Sequence, residues 1–80
     1  MSDEITIVKE LDLRNLPCPM PVVKVSKAVK DIQVGQVLRA TTTDPGALTD
    51  FPAWAKSTGN AILTTEEAGG ETHFTIKRLK

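Results

Sequence analysis

Apolar residues fall on the odd positions Ile5, Ile7, Leu11 and Leu13, with only Lys9 breaking the alternation. A period of two predicts a half-buried first strand. Arg14-Asn15-Leu16-Pro17 then forms a short loop. After it the period changes. Val22, Val25, Val29 and Ile32 recur at three- and four-residue spacings, which is one face of a helix, while Lys24, Lys27 and Lys30 lie mainly on the others. Gly35 closes this unit, because glycine accepts the left-handed backbone that follows a helix end. A second strand is expected from about Gln36 to Thr42, with Val37, Leu38 and Ala40 apolar. Asp44-Pro45 reads as an aspartate cap with proline at the first helical position. In the helix that follows, Leu48, Phe51 and Ala55 make the expected buried stripe, and Pro52 predicts a kink or two short pieces. Gly59-Asn60 ends it. Residues 61–67 and 71–79 flank Ala68-Gly69-Gly70 and read as a hairpin.

The element order is β-α-β-α-β-β, with no repeat, linker or low-complexity segment. Right-handed crossovers place both helices on one face of a mixed four-stranded sheet, giving an α/β (α+β) two-layer sandwich. Residues 1–80 are expected to form a single domain. At this length folding buries only about 60–65% of the unfolded chain's surface, so a deep cleft is hard to build and chemistry is expected near the surface.

Composition narrows the function classes. Hydrophobic residues make up 40% and charged residues 25%, as in ordinary globular domains. Ten Lys and Arg balance ten Asp and Glu, so the chain lacks the overall basic charge of a nucleic-acid binder, and no stable nucleic-acid binding is expected. Its apolar runs are far too short to span a bilayer, so no membrane partner is expected either. The acidic start Met1-Ser2-Asp3-Glu4 lacks a signal-peptide pattern, and the chain is expected to be cytoplasmic. The one cysteine, Cys18, can make neither an internal disulfide, a CxxC pair nor a multi-cysteine metal site. Neither metal nor cofactor is expected.

Cys18 stands in Cys18-Pro19-Met20-Pro21, directly before the valine-rich helix. With Pro19 at the first helical position, Cys18 is the N-cap, a place cysteine does not favour. A helix N-terminus stabilises an anion, which lowers a thiol's pKa and makes its sulfur a better nucleophile. Pro19 and Pro21 stiffen the entry and lack N–H groups, leaving Met20 and Val22 as the nearby donors. A lone cysteine is ordinarily a small buried hydrophobe; two prolines beside it in a polar loop argue against that role.

The segment from Leu11 through Pro21, with its CPxP motif, resembles the TusA-like, or SirA-like, sulfur-carrier family. The likeness continues through Val34-Gly35, Thr43-Asp44-Pro45-Gly46, Asp50-Phe51-Pro52-Ala53-Trp54 and Thr58-Gly59-Asn60. The resemblance implies a persulfide carried on Cys18. Sulfur would come from a donor of the cysteine desulfurase or rhodanese type and pass to an acceptor protein. The family's settings are tRNA thiolation, molybdenum-cofactor assembly and sulfur oxidation. Asn15 stands where many members have glycine; asparagine tolerates left-handed angles, so the turn is expected to be retained.

Pro19, Met20 and Pro21 are therefore candidates for supporting the thiol. Arg14, Lys24 and Lys27 are candidates for partner docking, although such lysines ordinarily form a helix's solvated face. His73 has no companion ligand nearby in sequence and reads as a surface residue of the hairpin. Trp54 fits either the core or an interface. A non-catalytic protein- or RNA-binding regulatory module remains the alternative, followed by a thiol redox enzyme needing an external thiol.

Overall fold

A computed structural model describes residues 6–17 and 19–80. Its elements are β1 (Ile7–Leu13), α1 (Met20–Val29), β2 (Val37–Thr42), α2 (Ala47–Thr58), β3 (Ala61–Ala68) and β4 (Glu71–Lys77). The expected order is observed, and the strands lie β1-β2-β4-β3. β1 runs parallel to β2, while β4 is antiparallel to both β2 and β3. Each crossover through a helix steps across the sheet in the same direction. With one preferred hand, both helices then reach the same face.

The core lies between that face and the helices. β2 contributes Leu38 and Ala40, β4 contributes Phe74 and Ile76, α1 contributes Val25, Ala28 and Val29, and α2 contributes Ala47, Phe51, Trp54 and Ala55. Phe51 packs on Phe74 with ring centroids 4.4 Å apart and meets Trp54 edge-on at 6.4 Å. Trp54 is thus a core residue. Its indole N–H donates to the Ser26 hydroxyl at 2.6 Å, joining the helices.

Several expectations change. Leu48 is exposed, and Ala47 and Trp54 complete the buried stripe of α2 in its place. Pro52 lies within one continuous helix rather than dividing it. Its ring is exposed, so the hydrogen bond it removes is lost on the solvent side. The break at Lys9 is absorbed by a register shift: Ile7 pairs with Val37 but Lys9 with Leu38, leaving Val8 as the extra residue. Gly35 does adopt φ +93°, and its N–H donates to the Arg78 carbonyl at 2.7 Å. Gly69 and Gly70 both have positive φ, as a tight two-residue hairpin requires. No helix among the described residues is long and apolar enough to cross a membrane.

Phe51→Ala should destabilise the chain by about 3–5 kcal/mol, because it empties the centre of a small core. Leu48→Ala, one turn earlier but exposed, should cost no more than about 0.5 kcal/mol. Urea unfolding of the two variants checks this; equal losses would refute the assignment of the buried face.

Candidate functional site

The C-terminal ends of β1 and β2, the first turns of both helices and the β3–β4 turn all meet at one end of the sheet. The loop of residues 14–17 leaves β1 there. It is fixed from several directions. Arg14 lays its Nε on Asp12 Oδ1 at 2.8 Å and its Nη2 on Oδ2 at 2.9 Å, while its main-chain N–H reaches Oδ1 at 3.2 Å. The guanidinium holds the Asp12 carboxyl down at about 2, below its ordinary 3.8, mainly through these side-chain hydrogen bonds. Both side chains are exposed, so the pair adds little stability and acts chiefly to orient the loop.

Asn15 has φ +67°, making it the one non-glycine residue with positive φ among the described residues. The turn expected from the asparagine substitution is therefore present. Its N–H donates to Thr43 Oγ1 at 2.9 Å, tying the loop to the segment after β2. Leu16 packs against the core. Beyond it, the Met20 N–H donates to the Pro17 carbonyl at 2.8 Å and the Val23 N–H to that of Pro19 at 3.1 Å.

These contacts revise the expected helix entry. Pro19 occupies the cap position and Met20 opens α1, one residue later than expected, with Pro21 in the first turn. Cys18, the expected cap, lies outside the described residues. Of the two donors expected nearby, the Met20 N–H is already committed to Pro17. Pro17, Pro19 and Met20 are exposed, Met20 by 37%, whereas Pro21 is buried beneath them. The entry therefore has a buried anchor and an apolar, accessible rim.

The candidate docking charges separate. Lys24 and Lys27 stand exposed on α1 and pair with no carboxylate among the described residues. Arg14 turns instead toward the open face of the sheet, where it also approaches Glu71 Oε2 at 3.5 Å. His73 belongs to that network and is not a simple surface residue. It is half-buried, shares a 2.9 Å hydrogen bond with Thr41 and lies 3.6 Å from Glu71. Sequence spacing gave no sign of it, because Arg14 and Glu71 are 57 positions apart. Asp12, Arg14, Asn15, Thr43 and Glu71 line a shallow depression of about 320 Å³ beside the loop. Asp44 is not the cap expected of it: Gly46 holds the cap position without a side-chain cap bond and Ala47 opens α2, because the Asp44 Oδ1 accepts the Gly46 N–H at 3.2 Å and so closes a turn ahead of the helix. Among the described residues no group of three or more His, Cys, Asp or Glu is placed to hold a metal.

An exposed, proline-stiffened entry into a helix on a small two-layer sandwich is the setting in which the CPxP motif stands. The family model described as "Sulfurtransferase TusA" matches residues 9–78, and the chain belongs to that family. It is 44% identical over 70 residues to the sulfur carrier protein TusA of Allochromatium vinosum, a match covering 88% of this chain and 92% of that protein. It is also 51% identical over 59 residues to the Bacillus subtilis protein YrkF. There the match covers 74% of this chain but only 32% of the longer relative. The crystal structure of a SirA-like protein from Desulfitobacterium hafniense has the same fold. Its TM-score is 0.77 at 20% identity, covering 90% of this chain and 99% of that one. A role in carrying sulfur follows from the family.

Asn15→Gly should leave stability within about 0.5 kcal/mol of wild type, since glycine accepts positive φ freely. Asn15→Val should lose about 1–2 kcal/mol, because a β-branched residue resists that angle. Thr43→Val, which removes the acceptor for Asn15, should lose about 1 kcal/mol. Urea melts of the three variants test the brace, and an unaffected Asn15→Val would show that the turn is not needed.

Proposed function

We propose that residues 1–80 act as one sulfur-carrier domain in which Cys18 holds the transferable sulfur as a persulfide. The observation that carries this reading is the fixed, accessible setting on either side of Cys18. Residues 14–17 are tied to Asp12 and Thr43, Met20 is bonded back to Pro17, and Pro17, Pro19 and Met20 are exposed. A nucleophile passed between proteins needs such a stiff, open mounting, since orientation lost to loop motion must be recovered in each encounter.

The chemistry needs no further protein residue. The Cys18 thiolate attacks the outer sulfur of a donor persulfide, R–S–SH. A new bond forms between that sulfur and Cys18, the donor's S–S bond breaks, and the donor leaves as its thiolate. Cys18–S–SH remains. An acceptor thiolate then attacks the same outer sulfur, and Cys18 departs as thiolate, ready for another cycle. Every electron pair is accounted for, with no external oxidant or reductant. Positive potential at the start of α1 favours both anionic forms of Cys18.

The donor is a cysteine desulfurase or rhodanese-type protein, and a second protein serves as acceptor. The setting is tRNA thiolation, molybdenum-cofactor assembly or sulfur oxidation. Lys24 in the middle of α1 and Lys27 in its last turn, both exposed and without a carboxylate partner among the described residues, favour a donor with an acidic surface near its persulfide. Pro19, Met20 and Pro21 hold the entry stiff and supply its apolar rim. The single cysteine suits the reducing cytoplasm.

Intact mass after incubation with a persulfide donor tests the central step. Wild type should gain one sulfur atom that a reductant removes, and Cys18→Ser should gain none while keeping its melting temperature. Loading of Cys18→Ser would refute the mechanism. For the docking charges, Lys24→Glu combined with Lys27→Glu should slow loading from an acidic donor about tenfold at low salt and flatten its salt dependence. A rate identical to wild type across ionic strength would remove these lysines from the interface.

A further inference from the structure

The end of the molecule remote from residues 14–20 carries a second feature. α1 has ten residues, so its two ends lie about 15 Å apart. There a groove of about 310 Å³ runs between the ends of α1 and α2 and the segment after β4. Three cationic side chains, Lys30, Arg78 and Lys80, line it together with Ser26, Val29 and Trp54. None of the three makes an ion pair with an Asp or Glu side chain among the described residues. The chain as a whole is neutral, yet Asp12 and Glu71 are engaged with Arg14 and His73 on the opposite face of the sheet. Three cationic side chains lining one groove make it a place that attracts an anion.

One of these cations is held in place. Arg78 is half-buried and donates through Nη1 to the Ile32 carbonyl and through Nε to the main-chain oxygen of Lys80 at 3.1 Å. The Lys80 stem lies across Gly59, where a Cβ would come within 2.8 Å of its Cδ. A side chain at position 59 would displace it. The neighbouring polar groups are largely satisfied: Asn60 donates to Thr58, and its oxygen accepts the Leu79 N–H. Ser26 differs, since its oxygen accepts the Trp54 indole N–H and leaves the hydroxyl proton to donate elsewhere.

We propose that this groove binds a small phosphomonoester. A phosphate offers three outward oxygens to separated cationic donors, whereas a carboxylate offers two. The phosphate group would fill only part of the space, leaving Val29 and the rim of Trp54 for a compact organic body. The proposal is independent of Cys18 and of sulfur transfer.

Trp54 is the chain's one tryptophan, so its emission reports on the groove directly. Wild-type protein should be titrated with inorganic phosphate, ribose 5-phosphate and phenyl phosphate at ionic strength held constant with chloride, with calorimetry in parallel. The expected result is saturable binding of at least one phosphomonoester with a dissociation constant of about 1 mM or tighter. Inorganic phosphate should compete for the same site. Lys30→Gln combined with Lys80→Gln should weaken binding at least about tenfold without lowering the melting temperature. Failure of every phosphate to saturate, or equal affinity in the double variant, would overturn the proposal. Saturation by a glutamate-rich peptide but not by any phosphate would also overturn it and assign the groove to an acidic protein segment.

Discussion

Phe51 of α2 lies on Phe74 of the interior strand β4, with both rings fully buried. That contact fastens the crossover from β2 to β3 onto a strand that follows the crossover in the chain. Leu38 and Ile76 on the sheet, with Val25 and Ala28 from α1, close around it. In eighty residues there is little other core to share the load. Because β2 and β4 are the interior strands, their packing decides where both helix starts emerge, and hence where the loop from β1 is held.

The braced loop depends on this frame through few links. Asn15 bonds to Thr43 immediately after β2, and Leu16 reaches the core. Arg14 adds orientation by gripping Asp12 and approaching Glu71. A carrier of sulfur needs little more than this: an open, stiff mounting for a nucleophile and room for two protein partners in turn.

Much of the fold was legible because its elements have strong local signatures. Valine spacing marked α1, paired glycines marked the hairpin, and Asp44-Pro45 marked the approach to α2. The misreadings share one origin. Leu48 and Trp54 both fit a helix stripe, and which one is buried depends on how α2 rotates against β4. Pro52 signalled a break, but its position on the solvent side lets the helix continue. The entry to α1 begins one residue late because Met20 bonds back to Pro17, a contact that propensity alone does not reveal.

The CPxP motif, the family it belongs to and the order of elements were all present in the linear chain, because they rest on residue identity and on periods of a few residues. Asn15 belongs with them: its tolerance of positive φ is a property of the residue itself, and the turn follows. The strand order β1-β2-β4-β3 was decided only in three dimensions, as were the turning of Arg14 toward Glu71, the place of His73 beside Thr41, and the gathering of Lys30, Arg78 and Lys80 around one groove. Each joins positions tens of residues apart. Such pairings are set by which apolar faces pack together, and local sequence carries no record of their partners.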